Sequence, residues 1–452
     1  MPVLFRPVPF LRGTVLLAAW LLALSSVRAQ PLQAVFPRPA LDRWMYPFGF
    51  EGWSRPIAPI FASFDPRFDT RDAEILLGWD TESLVRTNLG PRRYVVRRAR
   101  VTATVAPLNS INSSPTFLYD PTYDPIVTYQ TNAAGYLPDA DLGRPVELFG
   151  AGFRGGYSAR TFPEDGPYGF VGAWTSNNIS LGTRHAFAAH FNDRGELEDI
   201  ANHVGQANPA WTNAPFDVRP WAIGTTTAVP PGEWVPEGTV FRFDLDVADP
   251  LIGGYFMQAL DTGRLRLILT ALSPAAQLSQ GGTSPGGGGS YPLWYMKENI
   301  LTTLDPSNPS YRAPAGLELE VLVIRPDDAD ADGLPDDWER EYLGGLAEGP
   351  ADDPDGDGAP HRLEFLAGTL PRDPASVLKV EWVTKPGGPV ELGFPIAAGR
   401  SYRVERSADG TGWSPAPGRL TFPARGLARW QEEDPAVPPA EPVARFYRVA
   451  VD

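Results

Sequence analysis

The chain has 452 residues, no cysteine and a formal net charge of −15 at pH 7. The lack of cysteine excludes thiol catalysis, cysteine-ligated zinc and disulfide cross-links. Because an acidic chain without a basic stripe repels phosphate, nucleic acid is not an expected partner. The length predicts roughly two to four domains. Proline (49) and glycine (45) accompany an aromatic content of 11%, which favours a turn-rich β protein over a disordered chain.

Residues 1–29 have the features of a signal peptide. Arg6 and Arg12 form a positively charged start, and the apolar run TVLLAAWLLAL follows at 14–24. Val27 and Ala29 precede the predicted cleavage site, which lies before Gln30. A membrane anchor would need about 20 consecutive apolar residues, whereas the run at 14–24 has roughly eleven. No other segment of the sequence is long and apolar enough to span a bilayer. The sequence therefore predicts an exported protein, found outside the cell, at the cell surface or in the periplasm, with no membrane span after cleavage.

Residues 30–325 are predicted to form a large β domain. In TVFRFDLDV (239–247), Phe241, Phe243 and Leu245 alternate with charged residues, which is typical of a half-buried strand. Similar runs recur between proline and glycine turns, at 73–79, 93–105, 169–174, 264–272 and 317–324. The best short helix candidate is YFMQALDTG (255–263). Many strands separated by turns predict a β-sandwich or jelly roll.

The glycine-rich segment QGGTSPGGGGS (280–290) has two interpretations. Gly/Ser-rich chains are flexible, so the segment is a candidate linker between domains. We prefer a long loop inside the β domain, because the strand-like segments YPLWYMKENI and LELEVLVI follow it. Those strands need partners from the residues before the loop.

Acidic residues are concentrated in one segment. Residues 327–364 contain 14 acidic residues and two arginines, so they carry −12 of the net charge of −15. Two runs within it, DDADADGLPDDWE (327–339) and DDPDGDGAPHRLE (352–364), share one skeleton. Local and repeated acidity indicates a binding site rather than general solubility.

Both runs fit the spacing of an EF-hand calcium loop, which uses side-chain oxygens at positions 1, 3 and 5, glycine at 6, a carbonyl at 7 and glutamate at 12. Gly333 and Gly358 stand at position 6, where the turn disfavours a side chain. The sequence therefore predicts two Ca²⁺ sites. The predicted ligands of the first are Asp328, Asp330, Asp332, the Leu334 carbonyl, Asp336 and Glu339. Those of the second are Asp353, Asp355, Asp357, the Ala359 carbonyl and Glu364.

The two loops depart from paired EF-hands. A helix is predicted only after each loop, in DDWEREYLG and RLEFLAG, and position 8 is Pro335 or Pro360, which cannot donate a backbone hydrogen bond. Residues 326–376 therefore resemble bacterial thrombospondin type 3 or dockerin-like calcium repeats. This resemblance implies half-EF-hands whose calcium is structural. Because EREYLG and LEFLAG do not form a duplicated helix face, docking of a cohesin-like partner is not expected.

Residues 377–452 are predicted to form a small β-sandwich with the strands LKVEWVT, VELGFPI, SYRVERS, ARWQEED and ARFYRVAVD. The motifs YRVERSADGTGWSP and RFYRV give this region a resemblance to fibronectin type III or immunoglobulin-like modules of secreted bacterial proteins. The predicted fold is therefore mainly β: a large jelly-roll-like sandwich, a short calcium-binding half-EF-hand module and a small C-terminal β-sandwich.

Residues that would indicate catalysis are scarce, and none is assigned. The sequence has no H-E-x-x-H zinc motif and no Walker loop. Asp69 with Asp72, or Asp246 with Asp249, are acid pairs available for glycoside cleavage, but turns and strand ends explain them better. Trp44, Trp53 and Trp294 are candidates for stacking on sugar rings. The preferred interpretation is that they are core residues, as most tryptophans of a β-sandwich are.

The sequence favours an exported, calcium-binding, non-enzymatic protein that acts in adhesion or glycan binding. Its candidate partners are polysaccharide or a cell-surface component. The alternative is a secreted polysaccharide-degrading enzyme with its catalytic site in residues 42–325. Two calcium ions are the predicted cofactors.

Overall fold

The computed structural model describes residues 30–46, 54–62, 71, 73–108, 114–129, 135–165, 185–200, 218–273, 291–383, 389–433 and 446–451. The predicted signal peptide, the strand predicted at 169–174 and the glycine-rich segment 280–290 lie outside the described residues. So do Trp53, Asp69 and Asp72. Of the helices in the described ranges, none combines the length and apolar character required to cross a membrane.

The described chain is mainly β and its strands pair antiparallel, which confirms the predicted fold class. Its strands before the acidic segment are β1 (Leu32–Phe36), β2 (Leu41–Met45), β3 (Ile57–Pro59), β4 (Glu74–Asp80), β5 (Tyr94–Thr104), β6 (Val146–Phe153), β7 (Ala186–Phe191), β8 (Leu197–Asp199), β9 (Ala222–Ile223), β10 (Val240–Asp244), β11 (Arg264–Ala271), β12 (Leu293–Tyr295) and β13 (Gly316–Val323). The strands after it are β14 (Glu381–Trp382), β15 (Glu391–Pro395), β16 (Tyr402–Ser407), β17 (Ser414–Pro415), β18 (Gly418–Ala424), β19 (Leu427–Glu432) and β20 (Phe446–Val451). The helices are α1 (Ile126–Tyr129), α2 (Pro250–Thr262), α3 (Asp336–Tyr342) and α4 (His361–Ala367).

Two antiparallel sheets form the large N-terminal part. One has the order β1-β13-β5-β10, and the other has the order β2-β4-β11-β6-β7-β8 with β9 paired to β6. A short third sheet pairs β12 with β3. Buried side chains from both large sheets belong to one continuous hydrophobic core. The two sheets therefore enclose a common core, as expected of a sandwich, while a jelly-roll connectivity stays a prediction.

Strand β10 shows why the alternating pattern identified strands correctly. Phe241 and Phe243 are buried, whereas Arg242 and Asp244 are exposed. The side chains of a strand point to opposite faces in turn, so the apolar half faces the core. The central strand β11 is instead buried along almost its whole length, because α2 packs against it and against β5.

Helix α2 begins earlier than the sequence predicts. The Asp249 side chain accepts hydrogen bonds from the backbone N–H groups of Leu251 (2.9 Å) and Ile252 (3.2 Å), and Pro250 is the first helical residue. An N-cap aspartate followed by proline is a favoured helix start. Gly263, with φ +74°, ends the helix. The capping residues, not the apolar period, therefore set the boundaries.

The acidic segment packs against the end of β13. Leu322, in that strand, and Ile324, just after it, form a small hydrophobic cluster with Leu334, Trp338 and Phe365. This cluster includes residues of both helices α3 and α4. The segment is therefore a folded unit attached to the large β part.

The C-terminal part has two further sheets, β14-β15-β19-β18 and β17-β16-β20. Its own core contains Leu392, Phe394, Val404, Ala428 and Trp430. These buried residues come from both sheets. Its relationship to fibronectin type III or immunoglobulin-like modules stays a prediction.

Candidate metal centres in the acidic segment

The first acidic loop is closed by its own aspartates. The Gly333 backbone N–H donates to Asp328 Oδ2 (3.0 Å), and the Leu334 N–H donates to Asp332 Oδ1 (2.8 Å). Gly333 has φ +95°, a conformation that favours glycine. Asp328, Asp330 and Asp332 each place an oxygen within 4.8 Å of the others. The turn therefore brings the three predicted side-chain ligands together.

The second loop repeats these bonds at the same positions. The Gly358 N–H donates to Asp353 Oδ2 (3.0 Å), and the Ala359 N–H donates to Asp357 Oδ1 (2.7 Å). Gly358 has φ +92°. Oxygens of Asp353, Asp355 and Asp357 lie within 4.8 Å of one another. The shared sequence skeleton thus produces the same local turn twice.

Each loop is followed by a helix that carries the predicted glutamate ligand. Glu339 is the fourth residue of α3 and Glu364 is the fourth residue of α4, and each helix begins directly after the proline of its loop. Their exposures are 0% and 1%. Among the residues that the structure describes, neither carboxylate has a hydrogen-bond partner.

Burial of the two glutamates changes their acidity. The pKa of Glu339 rises to about 7, first because of burial and then because of the nearby negative charges of Asp332 and Asp330. The pKa of Glu364 also rises to about 7, first because of burial and then because of the aspartates of its own loop. A buried carboxylate that faces other carboxylates is unfavourable when charged. Both glutamates therefore have the environment of a cation ligand.

The donor set fits calcium. Each loop offers carboxylate and carbonyl oxygens, and Ca²⁺ prefers six to eight such hard ligands. Two further oxygens, Asp355 Oδ2 and Asp357 Oδ2, are buried and have no hydrogen-bond partner within the described ranges. His361, at position 9 of the second loop, is fully buried with Nδ1 3.0 Å from the Gly349 carbonyl. Its ring therefore belongs to the packing of the segment.

Asp336 has two roles in the first loop. Its Oδ1 accepts from the Ala329 N–H (2.7 Å), and its Oδ2 pairs with Arg340 (2.7 Å). One of its oxygens also lies within 4.8 Å of Asp330 and Glu339 oxygens. The carboxylate therefore closes the loop and lies beside the predicted site.

Asp337, which is not among the predicted ligands, has a structural role. Its carboxylate accepts from Arg325 Nε (2.8 Å), Arg325 Nη2 (2.9 Å) and the Arg325 backbone N–H (3.0 Å). These bonds lower the pKa of Asp337. The pair joins the start of α3 to the residues that follow β13. In the sequence, the available signal for this ion pair was the basic residue Arg325 in the dipeptide Arg325-Pro326 just before the acidic run.

The other candidate residues have structural roles. Trp44 is 7% exposed and Trp294 is 1% exposed, so both are core residues, as preferred from the sequence, and neither offers a sugar-stacking surface. Asp246 forms an ion pair with Arg425 (2.7 Å), and Asp249 caps α2. The pair Asp246 and Asp249 therefore has roles that do not involve catalysis.

A G-x-G-x-x-G pattern at 150–155 resembles the spacing of a dinucleotide-binding turn, but it lies in and just after strand β6. That chemistry needs a helix directly after the strand, and the described residues 154–165 contain none. A Cβ on Gly150 would lie 2.2 Å from the Trp221 ring, and one on Gly152 would lie 2.3 Å from the Phe187 ring. These glycines make room for aromatic side chains.

Comparisons with models of protein families, with curated proteins and with solved structures found no significant match to this chain. The resemblance of residues 326–376 to thrombospondin type 3 or dockerin-like repeats therefore stays a prediction. The geometry of the acidic loops is the firmest basis for a function.

Proposed function

We propose that residues 326–376 bind two calcium ions, and that these ions hold the large β part, the acidic segment and the C-terminal part in a fixed arrangement. The observation that carries this proposal is the pair of buried glutamates, Glu339 and Glu364, whose carboxylates have no hydrogen-bond partner among the described residues. Each glutamate faces three aspartates of its own loop. A divalent cation would satisfy the oxygens and offset the repulsion.

Calcium would act on the fold through the two short helices. Glu339 lies next to Trp338 on α3, and the Trp338 ring packs against Phe365 of α4 with a centroid distance of 5.5 Å. Trp338 also belongs to the cluster with Ile324, which leaves β13. A cation that fixes the glutamates would therefore fix both helices against the end of the large β part.

The C-terminal part is attached to the same helices. Arg400 donates from Nε to the Leu366 carbonyl (2.7 Å) and from Nη2 to the Phe365 carbonyl (3.0 Å). The carbonyls at the end of a helix lack helical partners, so such bonds stabilise the helix end. Direct contacts with the large β part add to this attachment, including a bond from the Phe422 N–H to the Asp193 carbonyl (2.7 Å). Whether the acidic segment is folded therefore affects both the large β part and the C-terminal part.

We also propose that the protein is exported, and that it binds a ligand without converting it chemically. The predicted signal peptide and the resemblance of the tail to modules of secreted proteins support export. Trp382 supports ligand binding, because it is 64% exposed and its ring lies 5.9 Å from the Tyr447 ring. Exposed aromatic rings suit stacking on sugars. Polysaccharide or a cell-surface component remains the proposed partner.

Calorimetric titration of the purified protein with CaCl₂ tests the loops, together with thermal melts and limited proteolysis in calcium and in chelator. We expect binding at the roughly 10⁻⁴ to 10⁻³ M common for extracellular modules, and faster cleavage within 326–376 when calcium is removed. The variant E339Q/E364Q should lose both effects, whereas E381Q, which changes an exposed glutamate, should keep them. Unchanged protease sensitivity after chelation would contradict a structural role for calcium.

A further inference from the structure

A second group of acidic side chains lies in the large β part. Asp120 and Asp124 precede helix α1, and Asp139 and Asp141 follow it. Each of the four places an oxygen within 4.8 Å of the others. Asp120 and Asp124 are only 3% and 2% exposed. These carboxylates are therefore crowded together where water can stabilise little of their charge.

Asp120 has an oxygen without a partner. Its Oδ1 accepts from the Thr122 N–H (2.8 Å) and lies 2.6 Å from the Thr122 hydroxyl. Its Oδ2 is buried and has no hydrogen-bond partner in the part of the chain that the structure describes. The Thr122 hydroxyl also lies 3.0 Å from Asp141 Oδ2, yet it has one proton to donate. The group thus has more acceptor oxygens than donors.

One arginine balances the group only in part. Arg144 Nη1 lies 2.8 Å from Asp124 Oδ2 and 3.1 Å from Asp139 Oδ2. Among the described residues, the ion pairs of this group are formed by this one arginine, against four carboxylates. Asp141 and the second oxygen of Asp124 receive nothing from this arginine. The remaining negative charge needs protons or a cation.

Gly143 allows the two acidic stretches to meet. It has φ +115°, and a Cβ at this position would lie 2.9 Å from the Asp120 Cβ and 3.1 Å from the Leu118 carbonyl oxygen. A side chain would therefore push the 139–143 loop away from Asp120. The close approach is a built feature of the fold.

We propose that Asp120, Asp124, Asp139 and Asp141 bind a third calcium ion, independent of the two acidic loops, with Arg144 as an additional counter-charge. All four are hard oxygen donors, which favours calcium over zinc. Asp120 Oδ2 supplies the buried oxygen that lacks a partner. The ion would tie the residues before α1 to those after it.

Native mass spectrometry of the full chain in calcium counts the sites directly. We expect three calcium ions on the wild-type protein and two on D141N, which alters the most exposed member of the group. D120N, which alters the buried member, should also hold two ions. D305N, which removes an exposed acid outside the group, should keep three. Two ions on both the wild type and D141N would overturn the proposal.

A titration on the variant D328N/E339Q/D353N/E364Q isolates this site from the acidic loops. One equivalent of calcium should bind, and adding D141N should weaken binding at least about tenfold, which corresponds to roughly 1.4 kcal/mol. If the acidic loops bind no calcium but this site does, the wild type should carry one ion and D141N none. No calcium binding to the loop variant, or equal affinity for magnesium, would refute this calcium site.

Discussion

Glu339 gives the sharpest test of the first acidic loop, through the pH dependence of stability in chelator. Its pKa in the folded chain is about 7, against an ordinary value of 4.5, because of burial first and of the neighbouring aspartates second. The folded state therefore keeps a proton that the unfolded chain releases. It follows that the contribution of Glu339 to stability falls as the pH rises from 4.5 to 7 and is constant above that range.

The size of this effect follows from the two pKa values. A difference from 4.5 to about 7 corresponds to about 3 kcal/mol of unfolding free energy. Glutamine at this position does not titrate, and the cost of burying its amide does not vary with pH. The difference in stability between the wild type and E339Q should therefore shift by about 3 kcal/mol between pH 4.5 and pH 8.

Differential scanning calorimetry in chelator, at a series of pH values from 4.5 to 8, measures this shift. Because a change in unfolding free energy shifts Tm in the same direction, the Tm of the wild type relative to E339Q should fall as the pH rises. With saturating calcium at pH 8 the wild type should be the more stable protein, because the ion binds the charged carboxylate. E381Q is the matched control. Parallel pH profiles of the wild type and E339Q in chelator would refute the buried, charge-crowded environment of Glu339.

Three further substitutions distinguish effects on the stability of the fold from effects on calcium binding. D337N should lower stability by about 1 to 2 kcal/mol, because it weakens the pair with Arg325, while calorimetry still finds the full number of calcium ions. G358A should cost roughly 1 to 3 kcal/mol at φ +92° and weaken the second calcium site, so unchanged affinity would contradict the loop geometry. R400M should remove two bonds to the end of α4, at about 1 to 3 kcal/mol in total, and speed proteolysis near Phe365, so an unchanged cleavage rate would contradict this attachment.

The sequence predicted those elements whose residue pattern lies within one short stretch of the chain. In β10, the alternation of Phe241 and Phe243 with charged residues fixes which face is buried. The acidic loops are equally local, because Gly333 and its aspartates lie within six residues and form bonds with one another. The start of α2 was missed because the cap at Asp249 outweighs the glycines in the first turns of the helix.

Features that depend on tertiary contacts could not be predicted in this way. The composition of a β-sandwich favours a core position for Trp44 and Trp294, but only the packing of the sheets, which bury both, decides it. Asp337 is one of many acids in its run, and only the fold places Arg325 against it. Asp120 and Asp141 are far enough apart in the chain that no fixed spacing connects them. Their proximity depends on the loop that Gly143 permits.

The distribution of charge and the lack of cysteine lead to one physical explanation of the acidic segment. A chain without cysteine has no disulfides to restrict its unfolded state. A calcium ion that binds the folded loop but not the unfolded chain stabilises the fold by mass action. The two proposed loop ions would act where β13, the acidic segment and the C-terminal part meet, through Trp338 and Arg400. Because the C-terminal part has its own core, loss of calcium should loosen this junction before it unfolds either β part.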